Sequence, residues 1–150
     1  MSDRKRYFGI FTDWDALIGE ISGIKDYGYG DEAHRAKVAL ETAVERAAWL
    51  AANPHFPTDA AVIWAAYDYE NYSGTARMLY RDRTGRLCEY TGGHCSCNGL
   101  EQDGFGGRPV DAVTPEALAL RDLDGIRESH GEDAAAAWRV TLDELMEGKR

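Results

Sequence analysis

The residues with most potential chemistry sit in one stretch, Gly92-Gly93-His94-Cys95-Ser96-Cys97-Asn98-Gly99-Leu100-Glu101. It offers an imidazole, two thiols and a carboxylate. Cysteine thiolates and histidine nitrogens are zinc ligands, and a structural zinc site takes four of them. His-Cys-x-Cys is not a zinc-finger spacing, and adjacent ligands strain a tetrahedron. A zinc site at His94, Cys95 and Cys97 would therefore need help from Cys88, His34, His55, His130 or Glu101. A cysteine nucleophile instead needs a base or a positive field to become a thiolate. His94 cannot serve Cys95 from the next position, because neighbours in extended chain point to opposite sides. The third possibility is structural. Free cysteines are among the most buried residues, and Ser96 and Asn98 can hydrogen-bond local backbone. The thiols would then pack a compact turn. The candidate functional loop is His94, Cys95, Cys97 and Glu101. No catalytic set is complete, and no cofactor is required, with zinc the open alternative.

A second cluster, Tyr67-Asp68-Tyr69-Glu70-Asn71-Tyr72, alternates aromatic and polar residues. Rigid aromatic side chains are enriched at protein interfaces. Tyr67, Tyr69 and Tyr72, joined by Tyr27 and Tyr29, form a candidate interaction surface. The competing reading is that alternate tyrosines pack a sheet face. Gly104-Phe105-Gly106-Gly107 lacks the lysine of a phosphate-binding loop. His34 and His130 read as surface residues, and Glu41, Glu45, Asp143, Glu144 and Glu147 as solvated helix faces.

Periodicity supplies the elements that must position these groups. Tyr7–Phe11 is a short apolar strand. Thr12 caps a helix that fades near Gly23. Asp31 caps a long helix running to about Ala52, with Ala36, Leu40, Ala43, Ala47 and Leu50 as its apolar stripe. Three strands follow, over about Ala60–Tyr69, Thr75–Arg81 and Arg86–Thr91, closed by short turns into an antiparallel meander. Ala76, Met78 and Tyr80 share one face of the middle strand, with Arg77 and Arg81 on the other, so one side of the sheet is expected to be wet. Gln102–Arg108 reads as a mobile loop. Thr114-Pro115 opens a helix running to about Leu123 before Gly125. A last helix covers about Glu132–Glu147 on a stripe of Ala135, Trp138, Leu142 and Leu145. The whole is one α+β domain over residues 1–150. Its three- to four-stranded antiparallel sheet is packed by helices on one face, with Trp49, Trp64 and Trp138 central to the core.

The totals fit that reading. A chain of 150 residues with 44% hydrophobic content can bury its own core. The net charge of −9 is spread along the chain and disfavours generic nucleic-acid binding. No stretch is apolar enough for a membrane span, and no signal-peptide core follows the polar start. An odd cysteine count of 3 is not a secreted disulfide framework. A cytoplasmic location is expected.

The segment from Tyr67 to about Leu118 resembles a group of small bacteriophage and bacterial proteins. The likeness rests on Tyr69-x-x-Tyr72-Ser73-Gly74-x-Ala76, the Thr84-Gly85 turn, Glu89-Tyr90, Gly93-His94-Cys95-Ser96-Cys97-x-Gly99-Leu100-Glu101 and Val113-Thr114-Pro115-Glu116-Ala117-Leu118. The resemblance covers about a third of the chain. It implies a phage or prophage origin, in a host cytoplasm, and carries no residue roles. The favoured function is a non-enzymatic, phage-type accessory protein that binds a protein partner through an acidic, aromatic surface. The alternative is a zinc-binding or thiol-reactive site centred on His94, Cys95 and Cys97. Oligomeric state is left open by the sequence.

Overall fold

A computed structural model describes residues 5–103, 111–121 and 123–149. Among them the chain forms strands β1 (Tyr7–Gly9), β2 (Val62–Glu70), β3 (Ser73–Arg81), β4 (Leu87–His94) and β5 (Asp111–Ala112). The α-helices are α1 (Trp14–Ser22), α2 (Glu32–Ala52), α3 (Pro115–Ala119), α4 (Leu123–His130) and α5 (Glu132–Met146). The fold is α+β. The sheet order is β1-β2-β3-β4-β5, and every pairing is antiparallel except β1 with β2. That pair is parallel, Tyr7 opposite Ala65, so α1 and α2 form the crossover a parallel pair requires.

Local chemistry explains most boundaries. The first cap is Asp13, not Thr12: the Asp13 carboxylate accepts from the Ala16 N–H at 2.9 Å. Gly23 ends α1 in the left-handed region, at φ 76°. Asp31 caps α2 through the His34 N–H at 2.8 Å, and Thr114 caps α3 through the Ala117 N–H at 3.1 Å. The stop expected at Gly125 is absent. The chain enters a separate helix, α4, that runs straight through this glycine. The loop expected over Gln102–Arg108 begins as a 3-10 helix, Leu100–Asp103. Its remainder, with the Gly104–Gly107 run, lies outside the described residues.

The sheet carries core on both faces, not on the single face expected. Against one face, α1 packs Leu17, Ile18 and Ile21 onto Ala65, Tyr67, Ala76, Met78 and Tyr80. Against the other, α3, α4 and α5 pack Leu118, Ile126, Ala135 and Trp138 onto Ile63, Trp64, Ala66 and Leu79. The side of β3 expected to be wet is thus covered: Leu79 is buried and the Arg77 guanidinium lies 5.8 Å from the Trp138 ring centroid. Trp64 and Trp138 meet edge to face at 4.8 Å, and the Trp64 indole N–H donates to the Ala134 carbonyl at 3.0 Å. Trp49 is only half-buried, set edge-on to Phe56 at 4.9 Å.

The β3–β4 turn is organised by one carboxylate. Buried Asp82 accepts from the Thr84 N–H (2.9 Å) and hydroxyl (2.6 Å), and from the Arg86 N–H (3.0 Å) and side-chain Nε (3.2 Å). These bonds, led by the Thr84 hydroxyl, hold its acidity down at about 2.

Candidate functional site

His94 is the last residue of β4, directly opposite Gly74 at the start of β3. The strand runs three residues further than the sequence suggested, straight through Gly92 and Gly93. That extension delivers His94 to the same sheet face as Tyr67 of β2. Gly74 makes the meeting possible, since a Cβ there would stand 2.5 Å from the His94 Nε2 and 2.6 Å from the Tyr67 ring.

The imidazole is held on three sides. Its Nδ1 lies 2.8 Å from the Cys95 carbonyl oxygen, which can only accept, so Nδ1 carries a proton. In the neutral ring Nε2 is then an acceptor, and the Tyr67 hydroxyl donates to it at 2.5 Å. The Tyr69 ring stacks on the imidazole with centroids 5.5 Å apart and planes at 23°, while Tyr67 meets it edge-on. Tyr67 is buried, at 3% exposure. Burial first, then the charges of Glu20 and of Tyr69 and Glu101, push its phenol up to about 12. Tyr67 therefore keeps its proton across the physiological range and acts as a fixed donor. It belongs inside this cluster and adds no area to a surface. Tyr69 and Tyr72, at 49% and 72% exposure, do.

Beyond His94 the chain turns. Cys95 and Cys97 are exposed, so the reading of these two thiols as core packing is corrected; it applies to Cys88, which is 1% exposed. The Cys95 sulfur accepts from the Cys97 N–H, the Cys97 thiol and the Asn98 N–H, and these bonds draw its acidity below the ordinary thiol value. Cys88 is pushed the other way, chiefly by burial. Leu100 plugs into the core and anchors the end of the turn. Next to it the Glu101 carboxylate folds back to accept the Gly99 N–H at 3.1 Å, against Gly23 at the end of α1. The turn is thereby tied to both the core and the first helix. Among the described residues no group of three or more His, Cys, Asp or Glu side chains is placed to hold a metal ion. His94 faces inward to Tyr67 while Cys95 and Cys97 face solvent, which explains why the motif does not converge.

The sequence reading missed a second histidine pairing. His130, expected on the surface, has a side chain only 4% exposed, and its Nδ1–H donates to Asp68 at 2.6 Å. Its ring meets Trp64 edge-on at 5.9 Å. Asp68 follows Tyr67 in β2, so consecutive residues hold one histidine on each sheet face. The available signal was the strand alternation itself, which sends an acid onto the face opposite Tyr67. His34 is exposed, as expected.

No described helix is long and apolar enough to cross a membrane. In comparison with known proteins, the chain matches no family model, no curated protein and no solved structure.

Proposed function

We propose that this chain is a phage-type accessory protein that works by binding a protein partner, and that the β2–β3 hairpin tip is its contact point. One observation carries the reading. Asn71 and Tyr72 form the two-residue tip, and both have left-handed backbone, at φ 52° and 63°. Such a tip favours Asn followed by glycine. A tyrosine at the second position costs about 1–3 kcal/mol, yet Tyr72 occupies it with 72% of its surface exposed. Stability is given up to display an aromatic ring. Tyr69 and the exposed Glu70 lie beside it, giving the aromatic and acidic character that suits a basic, partly apolar protein surface. The test is Tyr72→Gly. Relief of the left-handed strain should raise the melting temperature by about 2–4 °C for each kcal/mol recovered. Partners that co-purify with the unaltered chain from its host should be lost. An unchanged set of partners would remove the hairpin tip from the proposal.

A second reading, thiol chemistry at Cys95 and Cys97, is favoured by the hydrogen bonds converging on the Cys95 sulfur. It predicts an order of alkylation by iodoacetamide near neutral pH: Cys95 ahead of a free cysteine, and Cys88 last. Equal rates at Cys95 and free cysteine would dismiss it.

A further inference from the structure

The longest helix meets the rest of the protein along a narrow face only. The face of α2 nearest the rest of the protein carries Thr42, at 8% exposure, with the part-buried Val38, Arg46, Trp49 and Leu50, the last two against the first core. Arg46 secures it there: its Nε donates to the Ile24 carbonyl at 3.0 Å, and its guanidinium lies 3.8 Å from Asp15. The apolar positions Ala33, Ala36, Leu40, Val44, Ala47 and Ala51 are all exposed. Leu40 is 68% exposed and Val44 63%. At about 100° per residue, both sit roughly opposite Thr42 on the helix circumference. Single exposed apolar residues are ordinary, but a continuous strip along a helix of 21 residues marks an interface.

We infer that this strip pairs with the α2 of a second copy of the same chain, antiparallel, with Leu40 and Val44 of the two copies at the centre. Charge selects this occupant. The chain as a whole is at −9, so two copies repel over most of their surface. Yet α2 is close to neutral, with Glu32, Glu41 and Glu45 against Arg35 and Lys37 on its exposed positions and Arg46 turned inward. It is a long surface on which like copies meet with little of that repulsion. The order of charges is also self-complementary. Lys37 is the one charged residue beside the apolar strip, and the acids of its flank, Glu41 and Glu45, follow it; Glu41 lies 3.9 Å away within the same copy. Antiparallel pairing about Leu40 and Val44 brings each Lys37 within about one helical turn of the other copy's Glu45, twice by symmetry. Parallel pairing would set Lys37 against Lys37. The alanines toward both ends let the helix backbones approach closely. The inference is independent of the hairpin-tip reading, because it uses no residue of β2 or β3.

The test is molar mass by light scattering from about 1 μM to about 200 μM, a span that captures weak self-association. The unaltered chain should rise from 16.6 kDa toward twice that mass. Leu40→Glu with Val44→Glu should stay at monomer mass throughout, with circular dichroism unchanged because both side chains already face water. Lys37→Glu alone and Glu45→Lys alone should each weaken pairing, and mixing these two variants should restore it as a heterodimer. Lys37→Glu also serves as the interface probe if the double variant loses helix. Monomer mass at every concentration for the unaltered chain overturns the inference, as does undiminished pairing by the Leu40→Glu, Val44→Glu chain. Failure of the charge-swapped mixture to reassociate overturns the antiparallel arrangement.

Discussion

Helices α2 and α5 carry the same kind of sequence pattern and meet opposite fates. Each has alanines and leucines recurring at three- and four-residue spacing, and each contains one tryptophan. In α5 the stripe lies against the sheet, burying Ala134, Ala135, Trp138 and Leu145. In α2 only Thr42 is buried; Trp49 and Leu50 near its end pack partly against the first core, while Ala36, Leu40, Ala43 and Ala47 face outward. The difference lies in what else each helix offers. The bulk of α5 is concentrated in Trp138, which fills the space between Trp64 and Arg77. The inward face of α2 is mixed: Arg46 finds the Ile24 carbonyl and Asp15 there, beside the part-buried Val38, Trp49 and Leu50. Periodicity reports that a helix has an apolar face; it does not report what that face meets.

This contrast can be broken by mutation. Trp138→Ala should have the largest effect, a loss of about 3–5 kcal/mol read by denaturant unfolding, because it empties the centre of the second core. Among the described residues its buried indole N–H has no acceptor, so the effect expected there is one of packing. An intermediate effect concerns the sheet that α5 leans on. Asp82 has its acidity held at about 2 in the folded chain, against an ordinary value of about 3.9 when unfolded. Its contribution to stability is thus complete above about pH 4 and is lost as pH falls toward about 2. The β3–β4 hairpin, with Leu87 in the core that α5 covers, should loosen over that window. Asp82→Asn should flatten the acid limb of stability measured against pH. The smallest effect is Leu40→Ala, within about 0.5 kcal/mol for dilute monomer. A loss as large as that of Trp138→Ala would mean that the outer face of α2 is already covered within one chain.

Much of the fold was legible where the signal is local. Asp31 and Thr114-Pro115 marked helix starts because a cap acts on amides two or three residues away. The β2–β3–β4 meander followed from short turns between alternating runs. What escaped was non-local. The parallel pairing of β1 with β2 leaves no trace in either segment, and neither does the choice of which side of α2 faces inward. Gly125 was given the weight of a helix stop although a glycine inside a helix costs only about 1 kcal/mol. Gly92 and Gly93 hid the end of β4 for the opposite reason, since glycines argue against a strand interior. At the candidate site the motif from His94 to Glu101 was visible as residue types. Its main partner, Tyr67, stayed open between a contact surface and a packed sheet face, because alternation alone does not say which face of a strand is covered.

The edge pairing of Tyr7 with Ala65 also orders events in time. The hairpins β2–β3 and β3–β4 close over a few residues and can form within microseconds. Strand β1 must wait for a partner that the ribosome supplies only after both α1 and α2 have been made, and closing that long loop costs more entropy than either hairpin. Although made before β2, this strand is therefore among the last to dock. Until it does, the edge of β2 stands unpaired, a template for any extended chain nearby. That late step leaves one strand edge of the central hairpins open until the crossover has closed.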